Sequence, residues 1–223
     1  MITISEIKNS SAIKTYIEKA DESLKALGYT EHSYAHVNKV SQTAGNILRE
    51  LGYSARECEL AEIAGYLHDI GNVINRVDHA QSGAIMAFRI LDKMSASAED
   101  IATIITAIGN HDENTAHPVS PVAAALILAD KSDVRRTRVR NKDIAVFDIH
   151  DRVNYSVVKS ELKVKPEAVD GKRVIELKIQ IDTEVCSVIN FFEIFLNRML
   201  LCRKAAEKLN LEFSLIVNKQ KML

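Results

Sequence analysis

Apolar positions recur at the three- and four-residue spacing of a helix face up to about residue 135, punctuated by capping residues and glycines. Ile4, Ile7, Ile13, Ile17, Leu24 and Leu27 share one face of a helical stretch over 4–27, with a break expected near Asn9–Ser11, and Gly28 ends it. Thr30 can cap the next helix, which turns Val37, Val40, Ala44, Ile47, Leu48 and Leu51 toward a core and stops at Gly52. Ser54 and Glu57 stand at the spacing of a capping box, where each side chain satisfies a free amide of the first turn. The helix they open runs to His68-Asp69. Asp78 is the natural cap of a fourth helix reaching about Met94, and Ser97 opens a fifth that ends near Gly109. Ser120-Pro121 joins a cap to a proline at the first helical position, where its missing N–H costs nothing. The alanine- and leucine-rich helix that follows reads as buried and reaches Asp130-Lys131.

The period then changes. Residues 155–164 and 173–181 alternate and carry many β-branched side chains, with Asp170-Gly171 between them as a turn signal. Thr183 begins a helical pattern to about Leu209, and 212–217 suits a last strand. The apolar stretch 185–201, with Phe191, Phe192, Phe195 and Leu196, must be covered, by core packing as the default or by a subunit interface. The expected fold is mainly α: a helical bundle over 1–147 and a small α+β C-terminal domain over 148–223, built from an antiparallel sheet and one long helix.

Composition narrows the class. A chain of 223 residues that is 47% hydrophobic can bury a sizeable core. With 29 Lys+Arg against 30 Asp+Glu, the net charge of -1 argues against bulk electrostatic binding to nucleic acid or an acidic membrane. Cys58, Cys186 and Cys202 are far apart and odd in number, as expected of reduced thiols. Glu6, Lys8, Lys14 and Glu18 interrupt any signal-peptide pattern, and no apolar run approaches the roughly 18 residues of a membrane span. These features predict a soluble, cytoplasmic protein with neither nucleic acid nor membrane as partner. A homodimer stays open.

The chemistry gathers around Ala64-Gly65-Tyr66-Leu67-His68-Asp69-Ile70-Gly71. Gly71 suits the left-handed position that often closes a helix. Adjacent helical residues point about 100° apart, so His68 and Asp69 converge only on something held between them. A His-Asp pair alone is also a common cap. The other histidines change the picture: His36 lies in the second helix, His79 opens the fourth, His111 follows the fifth, and Asp130 comes late in the sixth. An antiparallel bundle can bring such positions together. Imidazoles and carboxylates without thiolates suit iron, manganese, zinc or nickel rather than a structural zinc site.

Taken in order, His36, Leu67-His68-Asp69-Ile70-Gly71, His79 with Gly83-Ala84, Ile108-Gly109-Asn110-His111 and Ala129-Asp130-Lys131 resemble the HD-domain metal-dependent phosphohydrolase superfamily. The likeness covers residues 30 to about 136. Within the superfamily the nearest look is the bacterial branch that cleaves diadenosine tetraphosphate symmetrically, which also has a His before a Gly-Ala pair and an Ala-Asp-Lys soon followed by Arg. The resemblance implies that His36, His68, Asp69 and Asp130 hold one metal, with Asp69 bridging to a second held by His79 and His111. It implies a metal-bound hydroxide, from water whose pKa falls from 15.7 to about 7, attacking phosphorus in line. Iron or manganese would fit first, and zinc, nickel, cobalt or magnesium are alternatives. The implied substrate is a small phosphate ester or anhydride, a nucleotide first. A single-metal version, as in nucleotidases of the superfamily, needs fewer ligands.

Two positions depart from related patterns. Asn72 replaces a lysine that often follows His-Asp-x-Gly, and Asp112 stands where the cyclic-di-GMP phosphodiesterase branch has a second histidine. That branch's Gly-Tyr-Pro signature is also missing, which argues against cyclic-dinucleotide cleavage. Asp112 is then a candidate proton donor or extra ligand, or it orients His111 or caps the next segment. His32, one turn before His36 on the same helix face, suits the rim of the site. Lys131 and Arg135 are candidates for binding phosphate, because guanidinium forks match phosphate oxygens, against the plainer reading of a solvated helix end. Arg136, Arg138 and Arg140 carry the same reading more weakly. Tyr34 and Tyr66 flank the ligand positions, with core packing favoured over base stacking, and His117 and His150 read as loop or surface residues.

The leading expectation is a metal-dependent phosphohydrolase, with Asp69, Asp112 and Lys131 as its catalytic candidates. Two rivals are a non-catalytic metal- or nucleotide-sensing domain and a diiron oxygenase on the same fold.

Overall fold

A computed structural model of the chain describes residues 1–141, 143, 147–169 and 171–223. The chain forms two compact units, Met1–Asp130 and Lys131–Leu223, divided ahead of the boundary expected near residue 148. The first unit is helical: α1 (Ile4–Asn9), α2 (Ser11–Ala26), α3 (Tyr34–Glu50), α4 (Ala55–Leu67), a 3-10 turn (Ile70–Val73), α5 (His79–Lys93), α6 (Ala98–Gly109) and α7 (Pro121–Lys131), whose last residue opens the second unit. The second contains a 3-10 turn (Arg136–Arg138), α8 (Ile149–Ser156), β1 (Val157–Val169), β2 (Lys172–Ile181), α9 (Val188–Lys208), β3 (Leu211–Val217) and β4 (Gln220–Lys221). Among the described residues no helix is long and apolar enough to cross a membrane.

The caps explain most of the helix starts. Ser10 breaks the first helical stretch where expected, its Oγ accepting from the Ile13 amide of α2. Ser54 and Glu57 form the capping box of α4, and Ser97 and Ser120 accept from the amides of Asp100 and Ala123. One start differs from expectation, and another falls where expected but without a side-chain bond. Ser33 rather than Thr30 caps α3, because Glu31 binds the Ser33 amide at 2.7 Å and the Asp21 carboxylate takes the His32 amide at 2.9 Å, holding 30–33 out of the helix. Asp78 precedes α5 in a left-handed conformation, φ 56°, and makes no side-chain cap bond. Aspartate tolerates that region better than most residues. Its carbonyl takes the Ser82 amide instead.

In the first unit α4 packs on α3 and α6, and α5 packs on α6. Ile63, Leu67, Ile104 and Ile108 are fully buried, each contributing about 1.5–3 kcal/mol by leaving water. Close approach at α3 demands a glycine in α4: a Cβ on Gly65 would sit 2.8 Å from Ser41 Cα. The Arg56 fork grips both oxygens of Asp100 at 3.2 and 2.7 Å and reaches the Ile2 carbonyl at 2.8 Å, tying α4 to α6 and to the chain start. The α4–α6 contact matters for function, because both helices end at the candidate ligands.

In the second unit the strand order is β1-β2-β3-β4, with antiparallel β1–β2 and β3–β4 pairs but a parallel β2–β3 pair. The sheet is therefore mixed rather than antiparallel. A parallel pair needs a crossover, and α9 supplies it, packing on β3 and α8. Residues 155 and 156, expected in a strand, close α8 instead. The β1–β2 register shifts between Val164 and Ala168, across Pro166, which has no N–H to give the ladder. Gly171 takes φ 81° at the turn; Asp170 of that expected turn lies outside the described residues. Phe191, Phe195, Met199 and Cys202 of α9 are buried, whereas Ile189 and Leu196 are exposed.

Candidate metal centre

Three helix ends and two helix starts converge. His36 lies in the first turn of α3, His68 caps the C-terminus of α4 with Asp69 next to it, His79 opens α5, His111 follows α6 and Asp130 is the penultimate residue of α7. All but Asp130 are buried, and Asp130 is nearly so, its side chain 12% exposed. The chain after His68 does not reverse through a left-handed glycine. It tightens into the 3-10 turn, and Gly71 is needed for a different reason: a Cβ there would collide with the His79 carbonyl and sit 2.5 Å from the Gly83 amide nitrogen. Gly71 thus lets the His-Asp turn lie directly on the start of α5.

Asp69 is shared between two groups of imidazoles. Its Oδ2 lies 3.2 Å from His68 Nε2 and 3.5 Å from His36 Nε2. Its Oδ1 faces the other way, 3.5 Å from His79 Nε2 and 3.9 Å from His111 Nε2. Asp130 Oδ1 closes the first group, 3.4 Å from His36 Nε2 and 3.7 Å from His68 Nε2. Ligand atoms about 2.1 Å from one ion, subtending 90–110°, lie about 3.0–3.4 Å apart. The spacings, 3.2–3.9 Å, begin in that range and extend up to half an ångström beyond it. His36, His68 and Asp130, and again His68, Asp69 and His111, form groups able to hold an ion.

The donor chemistry fits a cation. Nδ1 of His68, His79 and His111 lies 2.9, 3.0 and 2.6 Å from the carbonyls of Gly65, Arg76 and Ile108. A carbonyl only accepts, so each Nδ1 carries a proton and each ring turns its Nε2 inward, where it offers a lone pair once no second proton is bound. His79 and His111 bring these lone pairs to 3.2 Å from one another, and His36 and His68 bring their Nε2 atoms to 3.3 Å. Two unprotonated Nε2 atoms so close repel, so each pair needs a shared proton or another positive charge beside it. Burial would lower the His68 pKa, but Asp69 and Asp130 outweigh it and raise it to about 10 in the protein alone. Burial would likewise raise the Asp69 pKa, yet His68, His36 and His32 hold its carboxyl well below the usual range.

A family profile described as HD domain matches residues 33–167, more than half of the chain. The chain belongs to the HD-domain family. HD domains are generally metal-dependent hydrolases, and the buried His/Asp groups of this one accord with that class. No curated protein matches the chain.

The remaining candidates separate. His32 lies in the loop before the Ser33 cap, not on α3, but its ring still meets that of His36 edge-on at 5.4 Å. Asp112 is in neither ion-holding group; its Oδ2 accepts from Asn114 Nδ2 at 3.4 Å and its carbonyl from the Thr115 amide. Arg135 places its fork on the buried Asp133, at 2.7 and 3.0 Å, and Arg138 donates to the Asp133 carbonyl. The expected phosphate-binding Arg135 is therefore already engaged by a carboxylate. Lys131 is buried, not a solvated helix end. Tyr34 donates to the Lys14 carbonyl and Glu18, and Tyr66 is buried beneath Lys8, so both pack. His117 and His150 are exposed.

Sequence reasoning missed two residues. Asn72 is buried and donates Nδ2 to the Asp69 carbonyl at 2.8 Å and to Asp69 Oδ1 at 2.9 Å, fixing the shared carboxylate. It was noticed only as a departure from a pattern. Arg76 places Nη1 3.3 Å from Asn72 Oδ1 and 3.3 Å from His79 Nε2, with its guanidinium 5.6 Å from the centre of the Tyr29 ring. Its one sequence signal was its place in the loop between the two ligand motifs.

Proposed function

We propose that this HD domain is a metal-dependent phosphohydrolase acting on a small phosphate ester or anhydride. The observation that carries the reading is the division of Asp69, one oxygen toward His36 and His68 and the other toward His79 and His111. A carboxylate so placed can bridge two cations. His36, His68, Asp69 and Asp130 would hold the first, and His79, His111 and the second oxygen of Asp69 a second. One or two iron, manganese or similar divalent ions there would supply Lewis acidity toward phosphoryl oxygens and an activated water at neutral pH.

The chain's own residues do the positioning. The carbonyls of Gly65, Arg76 and Ile108 fix the imidazole tautomers, and Asn72 fixes the shared carboxylate. Burial keeps bulk water from competing, so charges in the centre act at full strength. Nucleotide phosphoanhydrides are the substrate class we place first, supported by the Gly83-Ala84 pair after His79 and by Ala129-Asp130-Lys131, the features shared with the diadenosine-tetraphosphate-cleaving branch.

The test is phosphate release from a panel of nucleotides and dinucleoside polyphosphates with added manganese or iron. His68→Ala and Asp69→Ala should lose turnover by three orders of magnitude or more while keeping the helical circular dichroism of the parent. Undiminished turnover in either variant would refute the reading.

A further inference from the structure

We infer that the Arg76 guanidinium is a built-in cation for the His79–His111 half of the centre, competing with a second ion, so that this chain holds one ion tightly and the other weakly. The inference rests on the metal centre proposed above and concerns how its two halves differ.

The neutral His79 ring gives its Nδ1 proton to the Arg76 carbonyl, leaving Nε2 as an acceptor. Nη1 of the same Arg76 lies 3.3 Å from that Nε2. The atom an ion would need is thus receiving an N–H from the side chain of the residue that orients its ring. Nη1 also lies 3.9 Å from Asp69 Oδ1, the oxygen turned to this half, and 3.3 Å from Asn72 Oδ1. Asn72 in turn donates to Asp69 Oδ1, so the guanidinium, the amide and the carboxylate form one chain of hydrogen bonds.

The Tyr29 ring, its centre 5.6 Å from the guanidinium, adds a further hold, because an aromatic face attracts a cation. The polar contacts described for Arg76 fall on the His79 side of the centre: His79 Nε2, Asn72 Oδ1 and the Asp69 oxygen turned to that half. The arginine side chain is 26% exposed, which gives it room to swing out when an ion or a phosphate arrives. Loss of the His79 lone pair opposes the second ion alone, and Coulomb repulsion from the guanidinium acts more strongly on that nearer ion than on the first.

The experiment is a titration of manganese into chelator-treated full-length protein, read by calorimetry and by electron paramagnetic resonance. The parent should bind one equivalent tightly and a second at least tenfold more weakly. Arg76→Met should change the first step far less than the second, which tightens at least tenfold, with the exchange-coupled signal of two ions sharing a carboxylate appearing at lower manganese. Arg76→Gln, which removes the charge but keeps an amide, is the second variant and carries the same expectation. A second step equally weak in both variants and the parent, or two equally tight steps in the parent, overturns the inference while leaving the metal centre standing. No uptake by any of the three proteins overturns the centre itself, and the inference with it.

Discussion

At the scale of single residues, His68, His79 and His111 are oriented alike: a backbone carbonyl three residues back in the chain takes Nδ1–H, and Nε2 looks inward. Asn72 does for the carboxylate what those carbonyls do for the rings. Asn72→Ala should therefore weaken metal affinity about 10–100-fold, measured by competition with a chelator, and an unchanged affinity would remove Asn72 from the centre. The His68 pKa, raised from 6.5 to about 10, has a further consequence. In the protein alone its proton stabilises the fold fully below pH 6.5, and that contribution fades as pH climbs through about 10. An ion must displace that proton, so between those limits uptake releases it and apparent affinity rises with pH, about tenfold per unit for one proton. Calorimetry in buffers of different ionisation enthalpy counts the protons; a pH-independent affinity would contradict the account. The six candidate ligands were readable from their order because residue type alone limits what can bind a metal. The contacts of Asp112, Arg135 and Arg76 are not legible in that way, since they depend on which neighbour each side chain meets in the fold: Asn114, Asp133 and His79.

Individual elements are held in register by what is missing as much as by what is present. Gly65 and Gly71 allow α3 to meet α4 and the His-Asp turn to meet α5. Gly65→Ala and Gly71→Ala should each cost about 1–3 kcal/mol through overpacking, seen as a lower urea midpoint. Gly71→Ala should also reduce metal uptake, because His79 lies against the site of the clash. A midpoint equal to the parent's for Gly71→Ala would show that this contact can relax. The helices capped by Ser54, Ser97 and Ser120 were legible because cap and apolar stripe agree. Asp78 marks the start of α5 as its residue type suggests, though its side chain makes no cap bond; the short helix α8 is masked by the β-branched stretch beside it; and the parallel β2–β3 pairing depends on a long-range choice that alternation within a strand does not encode.

On the scale of the molecule, the HD-family match runs from 33 to 167, past the division at Asp130 and Lys131, so the family's extent and the first compact unit do not coincide. The candidate ligands, however, all lie in the first unit. A change in any of the six should therefore affect metal retention more than global stability. The most direct measurement is the metal content of full-length protein purified without chelator, compared with that of His68→Ala and Asp69→Ala. The account predicts at least one equivalent of iron, manganese or a similar divalent ion per chain in the parent, and its loss in both folded variants. A parent that stays metal-free after exposure to these ions, or variants that retain the parent's full complement, would contradict it.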